Sequence, residues 1–274
     1  MATAAWDPHQ YLRHRDHRAR PFTDLIARVP VLPTAQDGHP PHIADLGCGP
    51  GNATALLTER WPTAHVTGFD NSPDMLERAR RDHSGPTPGG GSVDFAHADV
   101  TTWIPERPYE LIVSNATLQW VKGHPDSFAA WTGALTPGST FAFQVPGNFD
   151  APSHVLMRDI AESPRWRSRL GGLLRHGDAV LEPAAYLAGL TALGLDTDVW
   201  ETTYLHLLHG PDPVLDWVKG TGLRPVLGAL ADDPEALEAF TTEYRDALRA
   251  AYPATEHGTV LPFRRVFAVA TRPR

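Results

Sequence analysis

Apolar residues along this chain gather in short runs that alternate with segments of helical spacing, the pattern of a sheet assembled from strand–helix–strand units. Residues 43–46, 64–70, 95–100, 109–114, 140–145, 196–207 and 260–270 read as strands. The spacing predicts helices over 53–60, 72–81, 125–135 and 183–193, the last ended by Gly194. Before the first strand, Asp7-Pro8 makes a helix start, and Arg20-Pro21 opens a second helix with Phe22, Leu25, Ile26 and Val29 on one face. Residues 34–42 form a loop, and 84–92, with Gly85, Pro86, Pro88 and Gly89 to Gly91, reads as a flexible connection.

The first strand runs into Asp45-Leu46-Gly47-Cys48-Gly49-Pro50-Gly51-Asn52. Glycines at alternate positions let the backbone bend sharply and let a bulky ligand lie almost on it. Asn52 or Thr54 is expected to cap the helix that follows. A dinucleotide-binding turn wants its third glycine three residues after the second, and position 52 is Asn. The Gly-Lys-Ser/Thr ending of a phosphate loop is missing too. Asp45 would repel a pyrophosphate and attract an ammonium or sulfonium cation. Asp70, closing the second strand, stands where an acid accepts both hydroxyls of a ribose, and Asp99, after the third, suits an exocyclic amine such as that of adenine.

Composition narrows the classes. The 274 residues carry a formal net charge of −8, with Lys only at positions 122 and 219, which disfavours generic nucleic-acid binding. A single cysteine, Cys48, excludes an internal disulfide, and His14, His17 and His206 show no ligand spacing, so no metal is expected. No signal peptide precedes Trp6 and no apolar run approaches the roughly 18 residues of a membrane span, so a soluble cytoplasmic protein is the expectation.

The series DLGCGPG, FDNSP, HADV and SNATLQWV, in this order, resembles the successive motifs of class I S-adenosylmethionine-dependent methyltransferases. The likeness extends to WDPHQYLRHRDHRARPFTDLIARVP at the start, to residues 152–157, to 200–204 and to 216–225, which resemble the trans-aconitate 2-methyltransferases of that family, and so it spans nearly the whole chain. It implies a Rossmann-like α/β fold, a seven-stranded mostly parallel sheet with a helical cap and N-terminal helices. It also implies a helical segment 1–31 folded over the cofactor and a single domain 32–274 with cap insertions at about 147–182 and 208–258. For the N-terminal segment, an amphipathic helix packed on the sheet accounts for the same pattern.

The resemblance implies S-adenosylmethionine as cofactor and S-adenosylhomocysteine as product. Tyr11, Arg20, Asp45, Gly47, Gly49, Gly51, Asp70, Asn71, Met75, Asp99, Val100, Asn115, Ala116 and Trp120 are the expected cofactor contacts. Gln119, His154, Tyr204, Trp217, Arg224 and Arg265 are the expected substrate contacts. Arg224 and Arg265 suit bidentate clamps on carboxylates. Judged by type alone, an isolated arginine is more often a solvated or paired surface residue, and His154, Tyr204, Trp217 and Tyr252 are as readily core packing. Ser114-Asn115-Ala116-Thr117 replaces the Asn/Asp-Pro-Pro-Tyr type of sequence used on nucleobases, which disfavours a DNA or RNA acceptor.

The expected reaction is in-line methyl transfer to a carboxylate of trans-aconitate, giving a monomethyl ester. A carboxylate is already ionised at neutral pH and needs no general base, so no catalytic residue is named beyond positioning by Gln119 and Trp120, the latter in a water-poor aromatic pocket. A different small acid or a natural-product hydroxyl would use the same cofactor site, and a cofactor-binding protein without turnover would keep the fold alone. A monomer is favoured, with a small tricarboxylate as partner and neither nucleic acid nor membrane.

Overall fold

The computed structural model describes residues 15–33, 39–175 and 177–274, so Asp7, Pro8 and Tyr11 lie outside the described residues. The first described helix, α1 (Arg15–Arg28), already includes Pro21, which corrects the expected break at Arg20-Pro21. A proline costs a helix one internal hydrogen bond. Here the buried stripe of Phe22, Leu25, Ile26 and Val29, which the spacing predicted, carries the helix through.

The chain continues through β1 (His42–Leu46), α2 (Asn52–Arg60), β2 (His65–Asp70), α3 (Pro73–His83), β3 (Gly85–Pro86), β4 (Ser92–His97), β5 (Tyr109–Asn115), α4 (Phe128–Gly133) and β6 (Leu135–Pro146). Then come α5 (Pro152–Ala161), α6 (Arg167–Leu170), α7 (Pro183–Ala192), β7 (Asp196–Leu208), α8 (Pro213–Lys219), α9 (Arg224–Ala229), α10 (Pro234–Ala251) and β8 (Thr259–Thr271). The sheet has the order β3-β4-β2-β1-β5-β6-β8-β7. Pairs β1–β2, β1–β5, β2–β4 and β5–β6 are parallel, and β6–β8 is antiparallel. After β1 the chain builds outward through β2 and β4, then returns to β1's other side as β5. Such a reversal opens a crevice at the carboxyl ends of the strands, where open α/β sheets bind ligands.

Three local expectations are corrected. The sheet has eight strands in place of seven, because the segment expected to be a flexible connection closes as a hairpin: Gly85 and Pro86 pair antiparallel with Val93 and Ser92. Its turn is held by Thr87 N–H on the Gly91 carbonyl at 2.9 Å. Second, neither Asn52 nor Thr54 caps α2; the capping position is Gly51, at φ 82°, and no side chain caps there. Third, the helix expected over 125–135 is a 3-10 turn, His124–Ser127, followed by the short α4, and Leu135 already belongs to β6. α3 begins where the spacing predicted a helix, and Ser72 Oγ accepts the Met75 N–H there.

The chain forms two compact units, where the sequence suggested one domain with two cap insertions. A sheet unit contains Ala19–Pro146, Val180–Thr202 and Arg265–Arg274, and a helical unit contains Gly147–Ala179 and Thr203–Arg264. The sheet unit is sealed by an aromatic cluster in which Phe128, Phe141, Phe143 and Tyr186 pack in tilted and edge-on pairs at centroid distances of 5.0 to 5.3 Å. The helical unit buries Trp217, Leu223, Val226, Phe240 and Tyr244 in one cluster. Tyr244 Oη donates to the Ser153 carbonyl at 2.6 Å and Tyr252 Oη accepts the Ser153 N–H at 3.0 Å, which fixes the first turn of α5. Among the described residues no helix is long and apolar enough to cross a membrane.

Phe143 is fully buried against three aromatic rings. Truncating it to alanine removes those contacts and leaves a cavity, so Phe143→Ala should destabilise the protein by about 3–5 kcal/mol in urea titration. A loss under about 1 kcal/mol would show that the aromatic cluster does not seal this unit.

Candidate functional site

The glycine turn meets the carboxyl end of β2. Gly47 and Cys48 both donate their N–H to the Phe69 carbonyl, at 2.8 and 3.0 Å, so the turn is pinned across the end of the neighbouring strand. The three glycines serve different purposes. A Cβ on Gly47 would sit 2.2 Å from Thr117 Oγ1, and one on Gly51 would meet His83 and Phe95 at 2.9 Å, so both are small because protein fills the space. Gly49, at φ 55°, faces open space, with no heavy atom within 4 Å of where a Cβ would stand. Of the three, Gly49 is the position that leaves room for a ligand against the backbone.

Asp70 is held in place by that turn. Its Oδ2 accepts the Gly49 N–H and its Oδ1 the Ser72 N–H, each at 2.9 Å. Each carboxylate oxygen keeps a further lone pair, which is what two vicinal hydroxyls require. Asn71 beside it is exposed, whereas Met75 and Val100 are buried. Asp99 is exposed and its Oδ1 accepts both the N–H and the hydroxyl of Thr101, at 2.8 and 2.7 Å; these bonds hold its carboxyl below the usual range and leave Oδ2 for another donor.

Asp45, expected as a carboxylate that attracts a cation, is a buried side chain. It is 1% exposed, its Oδ2 accepts the Thr54 hydroxyl at 2.7 Å, and its Oδ1 has no hydrogen-bond partner among the described residues. Burial raises its pKa to about 7, with the Thr54 bond opposing and the Asp70 charge adding to the rise. The same burial pushes the neighbouring Cys48 thiol far above its ordinary range, so that sulfur is a small filler and no nucleophile.

At the third strand end, β5 passes into a turn that locks onto the glycines through Thr117 Oγ1 on the Gly47 carbonyl at 3.1 Å. Ala116 has φ 54°, the one non-glycine positive φ among the described residues, a backbone cost that well-packed functional turns sustain. Gln119 is buried and its amide donates to the Ala116 carbonyl at 2.6 Å, so the group expected to position substrate closes its own turn. Trp120 is 43% exposed, which corrects the expected water-poor pocket around it. Asn115 Oδ1 accepts from Gln144 Nε2, whose Oε1 accepts from Arg265 Nη1 at 3.2 Å. Arg265 is 6% exposed and sits beneath Asn115 in this row of bonds, a different setting from the open clamp expected. Sequence reasoning missed Gln144 and Thr117; the available signal was an amide within the apolar run 141–145 at a strand end. Arg20 is exposed and lies 3.9 Å from Asp24.

In the helical unit the expected acceptor residues divide. Trp217 is 1% exposed and Tyr204 4%, the former stacked on His206 at 4.7 Å, so both are core of this unit and not open pocket walls. His154 lines a cleft with Gly222 and Pro225, while Arg224 begins α9 between those two and is half-buried. Burial, with the charges of Arg158 and Arg175, lowers the His154 pKa to about 4 and keeps the ring neutral. Among the described residues no cluster of three or more His, Cys, Asp and Glu side chains is arranged to hold a metal.

A family model described as a methyltransferase domain matches residues 43–138. The chain is 67% identical to the trans-aconitate 2-methyltransferase of Streptomyces coelicolor, over 99% of this chain and 88% of that one. It is 68% identical to that of Streptomyces avermitilis, over 98% of this chain and 97% of that one. Among solved structures, phosphoethanolamine N-methyltransferase 2 of Haemonchus contortus, in complex with S-adenosyl-L-methionine, shares the fold with a TM-score of 0.51 at 14% identity, over 93% of this chain and 53% of that one.

Two buried titratable groups should tilt stability in opposite directions. Asp45 is raised from 3.8 to about 7, so folding binds a proton there and its contribution is fullest below about 4 and declines as pH rises towards 7. His154 is lowered from 6.5 to about 4, so its contribution is complete above 6.5 and is lost as pH falls towards 4. Relative to wild type, Asp45→Asn should gain stability progressively between pH 4 and 7, and His154→Asn should gain it as pH falls below 6.5. Thermal melts across pH check both, and difference curves flat in pH would mean that neither group is perturbed by folding.

Proposed function

The chain belongs to the trans-aconitate 2-methyltransferase family, and from that premise we propose that it methylates one carboxylate of trans-aconitate, with S-adenosylmethionine as donor and S-adenosylhomocysteine as the other product. The donor supplies an electrophilic methyl group on a sulfonium centre. The open backbone at Gly49, bonded to the Asp70 carboxylate, is the observation that carries the reading. It favours a neutral, hydroxyl-bearing sugar over a phosphate, because a second negative charge beside Asp70 would be repelled.

In this proposal Asp70 receives the ribose hydroxyls and Asp99 Oδ2 the adenine amine, with Asn71, Met75 and Val100 around the nucleoside and Gly47 and Gly51 shaping the turn. Asp45, with its unpartnered Oδ1 and a pKa near 7, receives the amino group of the methionine moiety directly or through water and gives up its proton as it does so. Asn115, Ala116 and Trp120 border the methyl group, and Tyr11 and Arg20 remain proposed contacts at the methionine end.

The acceptor needs no base, since its carboxylates are ionised at neutral pH. The work of the chain is to hold that anion within about 3–3.5 Å of the methyl and in line with it. Arg224 and Arg265 are proposed holders of the carboxylates that do not react, with Arg265 also steadying Asn115 through Gln144. His154 is a proposed neutral partner. Gln119, Tyr204 and Trp217 enter as shape-holding residues rather than direct contacts. The inserts 147–182 and 208–258 are read as carriers of acceptor specificity, and 1–31 as a segment over the cofactor. The working form is a cytoplasmic monomer with a small tricarboxylate partner.

Mass spectrometry of the product from purified protein, donor and trans-aconitate should show the gain of one methylene unit as an ester, with a far lower rate on a monocarboxylate analogue. Equal rates on both would remove the tricarboxylate reading. Asp70→Ala should weaken S-adenosylhomocysteine binding by at least about tenfold in calorimetry, as loss of a charged hydrogen-bond acceptor costs about 1.5–3 kcal/mol. Unchanged affinity would take the ribose away from Asp70.

A further inference from the structure

Three polar side chains of the sheet unit share one face at the end of β5. Asn115 stands opposite Gln144 of β6, and Arg265 of β8 stands opposite Pro146, two residues further along β6. Cross-strand partners and next-but-one residues point to the same side of a sheet, so the three meet in a row. Arg265 Nη1 donates to Gln144 Oε1 at 3.2 Å, and Gln144 Nε2 donates to Asn115 Oδ1. Gln144 is 1% exposed and Arg265 6%, whereas Asn115 is half-buried at the outer end of the row.

The row can run in one direction only. A guanidinium has N–H donors and no acceptor, so Gln144 must turn its oxygen to Arg265 and its nitrogen to Asn115. Asn115 must then answer with Oδ1, which leaves Nδ2 as its outward group. Among the described residues Asn115 Nδ2 has no hydrogen-bond partner. The backbone around it is equally fixed: the Ala116 N–H donates to the Gln144 carbonyl at 3.0 Å, and Thr117 Oγ1 bonds the Asn115 and Gly47 carbonyls at 3.4 and 3.1 Å. Hydrogen bonds in such a row polarise one another, and the buried positive charge at its base makes the outward N–H groups stronger donors. A carboxylate oxygen, which is ionised and only accepts, is the partner that suits them best.

Resting on the methyltransferase reading, we propose that Arg265 and Gln144 set the hydrogen-bond polarity of Asn115, so that its amide grips a carboxylate oxygen in the crevice at the strand ends. Under that reading two ligands bring such a group there, the methionine moiety of the donor and the acceptor acid. Gln144 is then a positioning residue for the reaction, acting through Asn115.

The test uses the full chain with Gln144→Glu. A carboxylate at 144 keeps the bond from Arg265 but has no donor for Asn115, so Asn115 must swing Nδ2 inward and show Oδ1 to the crevice. Calorimetry is run with S-adenosylhomocysteine, and with trans-aconitate on protein saturated with S-adenosylhomocysteine. One of the two ligands should weaken by about tenfold or more and the other by less than about twofold, and the one that weakens is the one whose carboxylate Asn115 holds. The carboxamide counterpart of that ligand, which brings N–H donors, should bind Gln144→Glu more tightly than wild type, a reversal that a merely structural role of Gln144 does not produce. Asn115→Asp, which places an oxygen outward directly, should weaken the same ligand. Unchanged affinity for both ligands overturns the proposal, and so does a carboxamide that weakens alongside its carboxylate. If wild type fails to methylate trans-aconitate while Gln144→Glu loses S-adenosylhomocysteine, the proposed acceptor falls and the Asn115 assignment stands.

Discussion

One hydrogen bond, from the Gly49 N–H to the Asp70 carboxylate, joins the ends of β1 and β2 and depends on a backbone that only glycine adopts readily. Without a positive φ at Gly49 the amide would point elsewhere, and Asp70 would lose the donor that orients it. The sheet supplies the other half of the constraint. Because the chain builds away from β1 on one side and returns on the other, the ends of β1, β2 and β5 face one crevice. Thr117 on the Gly47 carbonyl then closes the third side.

Polar groups behind this crevice are arranged as supports. Thr54 donates its hydroxyl to Asp45 Oδ2 beneath the glycine turn, and Arg265, Gln144 and Asn115 form a row beneath the end of β5. Buried polar groups are tolerated when bonded, and such rows hold the exposed member in one orientation. An acid that reads in sequence as a ligand for a cation thus becomes, in the fold, a buried group near its titration point with one oxygen still to be satisfied.

The helical unit divides its aromatic and cationic residues by depth. Trp217, Phe240 and Tyr244 form its core, and the arginines of α5 and the segment after α6 line its cleft. A large ring gains most from complete burial, whereas a guanidinium keeps its charge solvated or paired at a rim. This explains why Tyr204 and Trp217, plausible walls by residue type, are interior, while Arg158 and Arg175 line the cleft.

The parallel strands, the glycine turn, the start of α3 and the acids at the strand ends were all legible in sequence, because each follows from local periodicity or from chemistry within a few residues. The hairpin at 85–91, the continuation of α1 through Pro21 and the capping role of Gly51 were not, since pairing and packing overrode local preference there. The family motifs, too, are local strings. Which oxygen of Asp45 is satisfied, which glycine faces open space rather than Thr117, and which arginines surround a cleft depend on residues far apart in the chain. Only tertiary structure brings those partners within hydrogen-bonding distance, and so only it decided them.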